Sequence, residues 1–339
     1  MGNILGACFA TSPPPVSVET KPNSVPILVQ TKLSSPPPVS IETKPSLSAF
    51  KTFEDMPTVT ITECESLQRP VSPKKGLVLS RLIGTGGFGQ VHECYLDDVY
   101  CVRKTLHKRT IAAENEFNKE CEILKSLNHP NIVHVVQVTR TPDGRYKELF
   151  MEHGGNTLFD LVVQGSTYLE NDTICRQMIS AVAYMHSLCV YHRDIKLENI
   201  TIDELGAIRF VDFGLCEKKQ HREEPMQTKC GSMSYAAPEI QAGFLYFGEE
   251  VDSWSLGVCL FALFFAFFPF KVSDKRDWRF EKTMVYQQIT GGSKGTTSNL
   301  LSFYNKIFEH PSAKWETAID GMICIDPNRR LLARNVTHL

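Results

Sequence analysis

The chain has 339 residues, and its 42% hydrophobic content supplies a core and excludes global disorder. A formal net charge of −2 offers no broad basic field, so nucleic acid is not an expected partner. The 11 cysteines form no C-x-x-C pair and no Cys/His cluster at zinc spacing, which excludes a disulfide scaffold and suits reduced thiols in the cytoplasm.

The chain opens Met1-Gly2-Asn3-Ile4-Leu5-Gly6-Ala7-Cys8, which exposes Gly2 once the methionine is removed, although Gly6 stands where the N-myristoylation pattern prefers Ser or Thr. One acyl chain binds membrane weakly and no basic cluster lies nearby, so a second anchor would fall on Cys8. Gly2 and Cys8 are candidate lipidation sites, and the expected location is the cytoplasm or the cytoplasmic face of a membrane. No cationic stretch followed by a long apolar one suggests a secretory signal. Residues 1–74 carry 12 of the 19 prolines, and Ser12 to Pro22 recurs almost verbatim as Ser35 to Pro45. Such a segment buries too little surface to fold, so a disordered, polyproline-like tail is expected, its repeats acting as a spacer or docking a partner.

From residue 75 to 339 the pattern is that of one folded unit. Leu77 to Ile83 and Val91 to Lys104 read as strands around a glycine turn, and Ile111 to Leu127 as a helix ended by Asn128-His129-Pro130. Val133 to Arg140 and Lys147 to Glu152 flank the turn Thr141-Pro142-Asp143-Gly144, a second hairpin. Beyond Thr157 the chain reads as mostly helical, including Glu170 to Leu188 and a long apolar helix from Asp252. The run Trp254 to Phe270 is short for a bilayer span and contains Pro269, so it reads as a buried core helix. The fold class is α+β and two-lobed, with a small sheet-rich lobe at about 75–152 and a larger helical one at about 156–339.

Gly84-Thr85-Gly86-Gly87-Phe88-Gly89 lets a backbone close over phosphates, and the strand that follows argues against a dinucleotide-binding turn, where a helix would follow. Lys104 ends a strand-like stretch and can reach beneath that loop. Glu120, on the helix face of Phe117 and Leu124, is a partner for it, with Glu116 one turn earlier as the rival. His192-Arg193-Asp194-Ile195-Lys196-Leu197-Glu198-Asn199 packs dense polarity between apolar flanks, and Asp212-Phe213-Gly214 adds a second carboxylate after a short strand. Two carboxylates and an amide suit magnesium, a hard ion that takes oxygen ligands. Phosphoryl transfer, which needs positioning and charge neutralisation, is the matching reaction class.

In order and spacing, G-T-G-G-F-G-Q-V, C-V-R-K, E-C-E-I-L, Y-H-R-D-I-K-L-E-N, D-F-G, A-A-P-E, D-S-W-S-L-G and D-P-N-R-R resemble the eukaryotic protein kinase family over about three quarters of the chain. Lys196 and Gly231-Ser232 resemble its serine/threonine type, and the string from Thr228 to Glu239 looks most like the calmodulin-dependent and AMP-activated group. The resemblance implies ATP and Mg2+ as cofactors and protein Ser/Thr hydroxyls as acceptors. It implies that Lys104 grips the α- and β-phosphates, that Glu120 positions it, that Asp194 accepts the hydroxyl proton and that Lys196 neutralises the γ-phosphate. Asn199 and Asp212 would hold the metal. Ile83, Gly84, Gly86, Gly89, Val91 and Val102 would enclose the nucleotide, with Met151 at its back and the hinge from Glu152 to Gly154 offering backbone groups to adenine. Glu239 and Arg330 would form a structural pair. Arg193 would receive a regulatory phosphate on Thr228. Val102 in place of a smaller residue and Met233-Ser234 in place of Pro-Glu depart from the pattern, and an acidic residue early in the next helix falls on Thr157 or Asp160 depending on alignment. The end at Thr337-His338-Leu339 leaves no expected room for an autoinhibitory tail, and a monomer is expected. The alternatives are a pseudokinase that keeps the fold without transfer, and a membrane-tethered adaptor.

Overall fold

A computed structural model describes residues 76–85, 89–106, 110–165, 170–304 and 307–336. Gly2, Cys8, the proline repeats and Gly86 lie outside the described residues. The first sheet is built from β1 (Leu77–Thr85), β2 (Gly89–Leu96) and β3 (Val99–Leu106), followed after helix α1 (Ile111–Ser126) by β4 (Val135–Arg140) and β5 (Lys147–Glu152). Its order is β1-β2-β3-β5-β4, antiparallel throughout. Asp97 and Asp98 join β2 to β3 with φ of 45° and 68°, the left-handed pair that a two-residue hairpin needs and that aspartate tolerates. Thr110 caps α1 by accepting from the amide of Ala113 at 3.2 Å. Ala113, Phe117, Glu120, Cys121 and Leu124 then fall on the buried face, so one carboxylate is carried inward with the apolar stripe.

The second lobe runs through β6 (Asn156–Thr157), α2 (Leu158–Val163), α3 (Asn171–Ser187), β7 (Val190–Tyr191), β8 (Ile200–Ile202), β9 (Ile208–Phe210) and β10 (Glu217–Lys218). It continues as α4 (Pro238–Ala242), α5 (Gly248–Phe265), α6 (Trp278–Thr290), α7 (Thr296–Ser302), α8 (Ala313–Met322) and α9 (Ala333–Val336). Two small antiparallel sheets, β6-β8-β9 and β10-β7, carry the loops that face the first lobe.

Helix α5 starts four residues before the expected Asp252 and ends before Pro269. Its first turn holds Glu249 and Glu250, polar residues that hide the helix start in a hydropathy reading but complement the N-terminal dipole. Glu249 also pairs with Arg334 on α9, and Ala266 ends the helix in the left-handed region at φ 57°. Trp254, Leu256, Val258, Cys259, Leu260, Phe261 and Ala262 are all fully buried, so from Leu256 onward the helix is apolar all round because protein surrounds it. No helix among the described residues is long and apolar enough to cross a membrane. Arg330 lies over the Trp254 ring at 5.1 Å, and Phe270 stacks on that ring at 6.1 Å.

Where α5 meets α8, a Cβ on Gly257 would come within 2.6 Å of the Met322 Cβ. Gly257→Ala should therefore lower unfolding stability by roughly 1–3 kcal/mol despite its better helix propensity, as measured by urea denaturation.

Candidate active site

The register of the first sheet sets Lys104 opposite Val91 on β2 and Leu149 on β5. The buried face of α1 brings Glu120 to it. Lys104 Nζ donates to Glu120 Oε1 at 2.7 Å, to Glu120 Oε2 at 2.9 Å and to Asp212 Oδ1 at 2.9 Å. Glu116 faces solvent, which decides the question between the two glutamates. Burial works against the Lys104 ammonium, yet the Glu120 and Asp212 carboxylates outweigh it and hold its pKa well above the ordinary lysine range. For Asp212 burial pulls the pKa up, but Lys104 prevails and keeps it below the ordinary aspartate value. Asp212 sits at φ 58° with its side chain 52% exposed, so a strained backbone aims a charged carboxylate into the open cleft.

Asp252, fully buried at the start of α5, orders the segment His192–Asn199. It accepts from the amides of His192 and Arg193, each at 2.8 Å, and lies 3.0 Å from His186 Nε2. Those bonds hold Arg193 at φ 63°. The next residue, Asp194, accepts from Lys196 Nζ at 2.7 Å, from Ser232 Oγ at 2.8 Å and from Asn199 Nδ2 at 3.2 Å. Lys196 Nζ also donates to Ser232 Oγ at 3.0 Å, which closes an Asp194–Lys196–Ser232 triangle. The Val211 amide donates to the Asn199 carbonyl at 2.9 Å, which extends the β8–β9 pairing and carries the chain to Asp212 next to Asn199. Glu198 faces away from the cleft and accepts from the Tyr235 hydroxyl at 2.8 Å.

Both side-chain bonds of Asn199 use Nδ2, leaving its oxygen available, and the Asp212 carboxylate adds a second hard oxygen donor next in the chain to Val211, whose amide bonds the Asn199 carbonyl. These residues fit magnesium. On the side of the glycine turn, Val102 faces Met151 across β3 and β5, with Met151 buried and Val91 and Val102 half-buried. Ile83 is exposed on β1, and Gly84 pairs with Val91. Gly154 follows Glu152 closely enough to Thr201 that a Cβ would stand 2.0 Å from its Oγ1, so only glycine lets the chain pass there. Thr157 caps α2 and accepts from the Asp160 amide at 3.1 Å while donating to Asp160 Oδ2 at 2.7 Å. The Asp160 carboxylate is thus spent on a cap.

Glu239 and Arg330 pair as expected, with bonds of 2.5 and 3.1 Å and no exposure of the arginine side chain. Thr228 reaches Arg193 only through the Tyr246 hydroxyl, which lies 3.4 Å from Arg193 Nη1. Its side chain is exposed, its carbonyl accepts from the Tyr246 hydroxyl at 2.8 Å, and Arg193 turns to other partners. The linear sequence did not disclose the contacts of Ser232 with Asp194 or of Asp252 with the His192 and Arg193 amides. They bridge 38 and about 60 positions, although both residues stand in motifs quoted above.

Comparison with known proteins gives the family. A protein kinase domain model matches residues 77–339. Serine/threonine protein kinase OSK3 of Oryza sativa is 33% identical over 270 residues, covering 77% of this chain and 49% of its own length. NUAK family SNF1-like kinase 1 of Homo sapiens is 37% identical over 269 residues, 77% of this chain and 37% of that protein. Maternal embryonic leucine zipper kinase of Danio rerio is 34% identical over 262 residues, 75% of this chain and 36% of that protein. The chain spans about half the length of the rice relative and little more than a third of the others. It belongs to the protein kinase family, and the kinases it resembles include SNF1-like ones.

Two outcomes follow from the electrostatics. Glu239→Ala leaves the Arg330 charge buried and unpaired, so chemical denaturation should register a loss of roughly 3–5 kcal/mol. Because the folded-state pKa of Asp212 is depressed, its contribution is present above the ordinary aspartate value and lost as pH falls through the lower folded value. The stability gap between wild type and Asp212→Asn should therefore be open at neutral pH and close in acid below about pH 4.

Proposed function

We propose that the chain is a serine/threonine protein kinase that transfers the γ-phosphate of ATP to protein hydroxyls. The observation that carries the reading is a pair of clusters, Lys104–Glu120–Asp212 and Asp194–Lys196–Ser232, linked through Asn199, whose Nδ2 donates to Asp194 and whose carbonyl accepts from the Val211 amide next to Asp212. Glu120 fixes the Lys104 ammonium so that it meets the α- and β-phosphates of ATP in one orientation. Asp194 orients the acceptor hydroxyl and takes its proton as oxygen bonds to the γ-phosphorus and the bond to the β-phosphate oxygen breaks, releasing ADP. Lys196, tied to Asp194 and Ser232, offsets charge on the phosphoryl group in flight. Asn199 and Asp212 would hold Mg2+, which supplies charge neutralisation at the phosphates. Ile83, Gly84, Gly89, Val91 and Val102 would enclose the nucleotide, Met151 would close its back, and the backbone of Glu152 to Gly154 would receive adenine.

The serine/threonine assignment draws on the Lys196–Ser232 contact beside Asp194 and on the serine/threonine kinase name of the rice relative. Labelling of a generic protein substrate with ATP and magnesium should depend on Asp212. Asp212→Asn should fall by at least about a hundredfold while its melting curve stays that of a folded protein. Phosphoamino-acid analysis of the product should show phosphoserine or phosphothreonine. Labelling that survives Asp212→Asn would overturn the reading.

A further inference from the structure

The guanidinium of Arg193 is only 7% exposed, and the protein already meets its donors. Nε donates to the Leu215 carbonyl at 2.8 Å, Nη1 lies 3.4 Å from the Tyr246 hydroxyl, and Nη2 lies 3.5 Å from Glu217 Oε2. That same carboxylate oxygen accepts from Lys119 Nζ at 2.9 Å. Lys119 immediately precedes Glu120 on α1. A single carboxylate therefore joins α1 to the arginine beside Asp194, one residue from the Lys104 ion pair.

Backbone pairing puts Glu217 there. In the β10–β7 ribbon Glu217 faces Tyr191 and Lys218 faces Val190, and the Lys219 amide donates to the Cys189 carbonyl at 2.9 Å. Tyr191 is two residues before Arg193, whose backbone Asp252 clamps. Both ends of the contact are held by strands or buried bonds, so little side-chain freedom is lost in forming it. The Tyr246 hydroxyl lies 3.4 Å from Arg193 Nη1 and donates to the Thr228 carbonyl, so a phosphate on Thr228 that reached Arg193 would meet the Glu217 carboxylate already there and its like-charge repulsion.

We infer that Glu217 is a positioning residue, an internal carboxylate that holds α1 against the His192–Asn199 segment so that Lys104 and Glu120 pair without a phosphate on Thr228. The inference rests on the kinase reading and specifies its regulation. The role that the family resemblance implied for phosphorylated Thr228 is filled by a residue of the strand after Asp212-Phe213-Gly214.

The test compares the full-length protein, phosphatase-treated and checked by intact mass, with Thr228→Ala, Glu217→Gln, Lys119→Met and the Glu217→Gln/Lys119→Met double variant. Phosphatase treatment and Thr228→Ala should leave kcat within about twofold, whereas Glu217→Gln and Lys119→Met should each lower it about tenfold with KM for ATP nearly constant. The double variant should be no worse than the more damaged single one, because both break one bridge. Lys119 is partly exposed at the other end of the contact, so it tests the bridge even where Glu217→Gln fails to fold. Loss of most activity on phosphatase treatment, or full kcat in folded Glu217→Gln and Lys119→Met, overturns the inference and leaves the kinase reading intact. A wild type whose labelling does not depend on Asp212 overturns the kinase reading, and with it the purpose of the bridge.

Discussion

The Lys104 ammonium meets two carboxylates that come from different parts of the chain, Glu120 on α1 and Asp212 just after β9. A charge at that depth is costly unless its partners are in place, and the buried Glu120 carboxylate is in turn a liability without the ammonium, whereas Asp212 keeps about half of its side chain in solvent. Lys104 and Glu120 are therefore mutually dependent. Their meeting requires the register of β3, the rotation of α1 about its axis, and the approach of the two lobes to be right at once. An error in any of these would strand a buried charge, so the site reports on the fold as much as it uses it.

The second lobe supplies a rigid floor to this arrangement. Helix α5 is surrounded by protein, and its one fully buried carboxylate, Asp252, spends its bonds on the backbone of His192 and Arg193. Amides held this way cannot relax to ordinary dihedrals, which is how Arg193 keeps a left-handed conformation costing about 1–3 kcal/mol. The strain is offset by the core of α5. Its consequence is that Asp194 is presented with a fixed direction, ready to bond Ser232 and Lys196.

Much of this is legible in the sequence. The hairpins, α1, α3 and the buried nature of the Trp254 to Phe270 run follow from local periodicity and turn chemistry, because these depend on neighbours a few residues apart. The start of α5 was missed because Glu249 and Glu250 break the hydropathy signal while serving the helix dipole and Arg334. Glu116 and Glu120 could not be separated by spacing alone, since one helical turn places both within reach of Lys104. Packing of α1 buries Glu120 and leaves Glu116 exposed.

By itself the sequence determined the residue types at the cleft and their order along the chain: the glycine turn, Lys104, Asp194, Lys196, Asn199 and Asp212. Chemistry of that kind is written locally, in short segments whose polarity contrasts with apolar flanks. Only the tertiary structure decided the partners. Ser232 beside Asp194, Asp252 beneath His192, and Glu217 between Lys119 and Arg193 are contacts across tens of residues. The physical reason is that a hydrogen bond or ion pair is specified by position in space, which packing fixes and sequence separation does not encode.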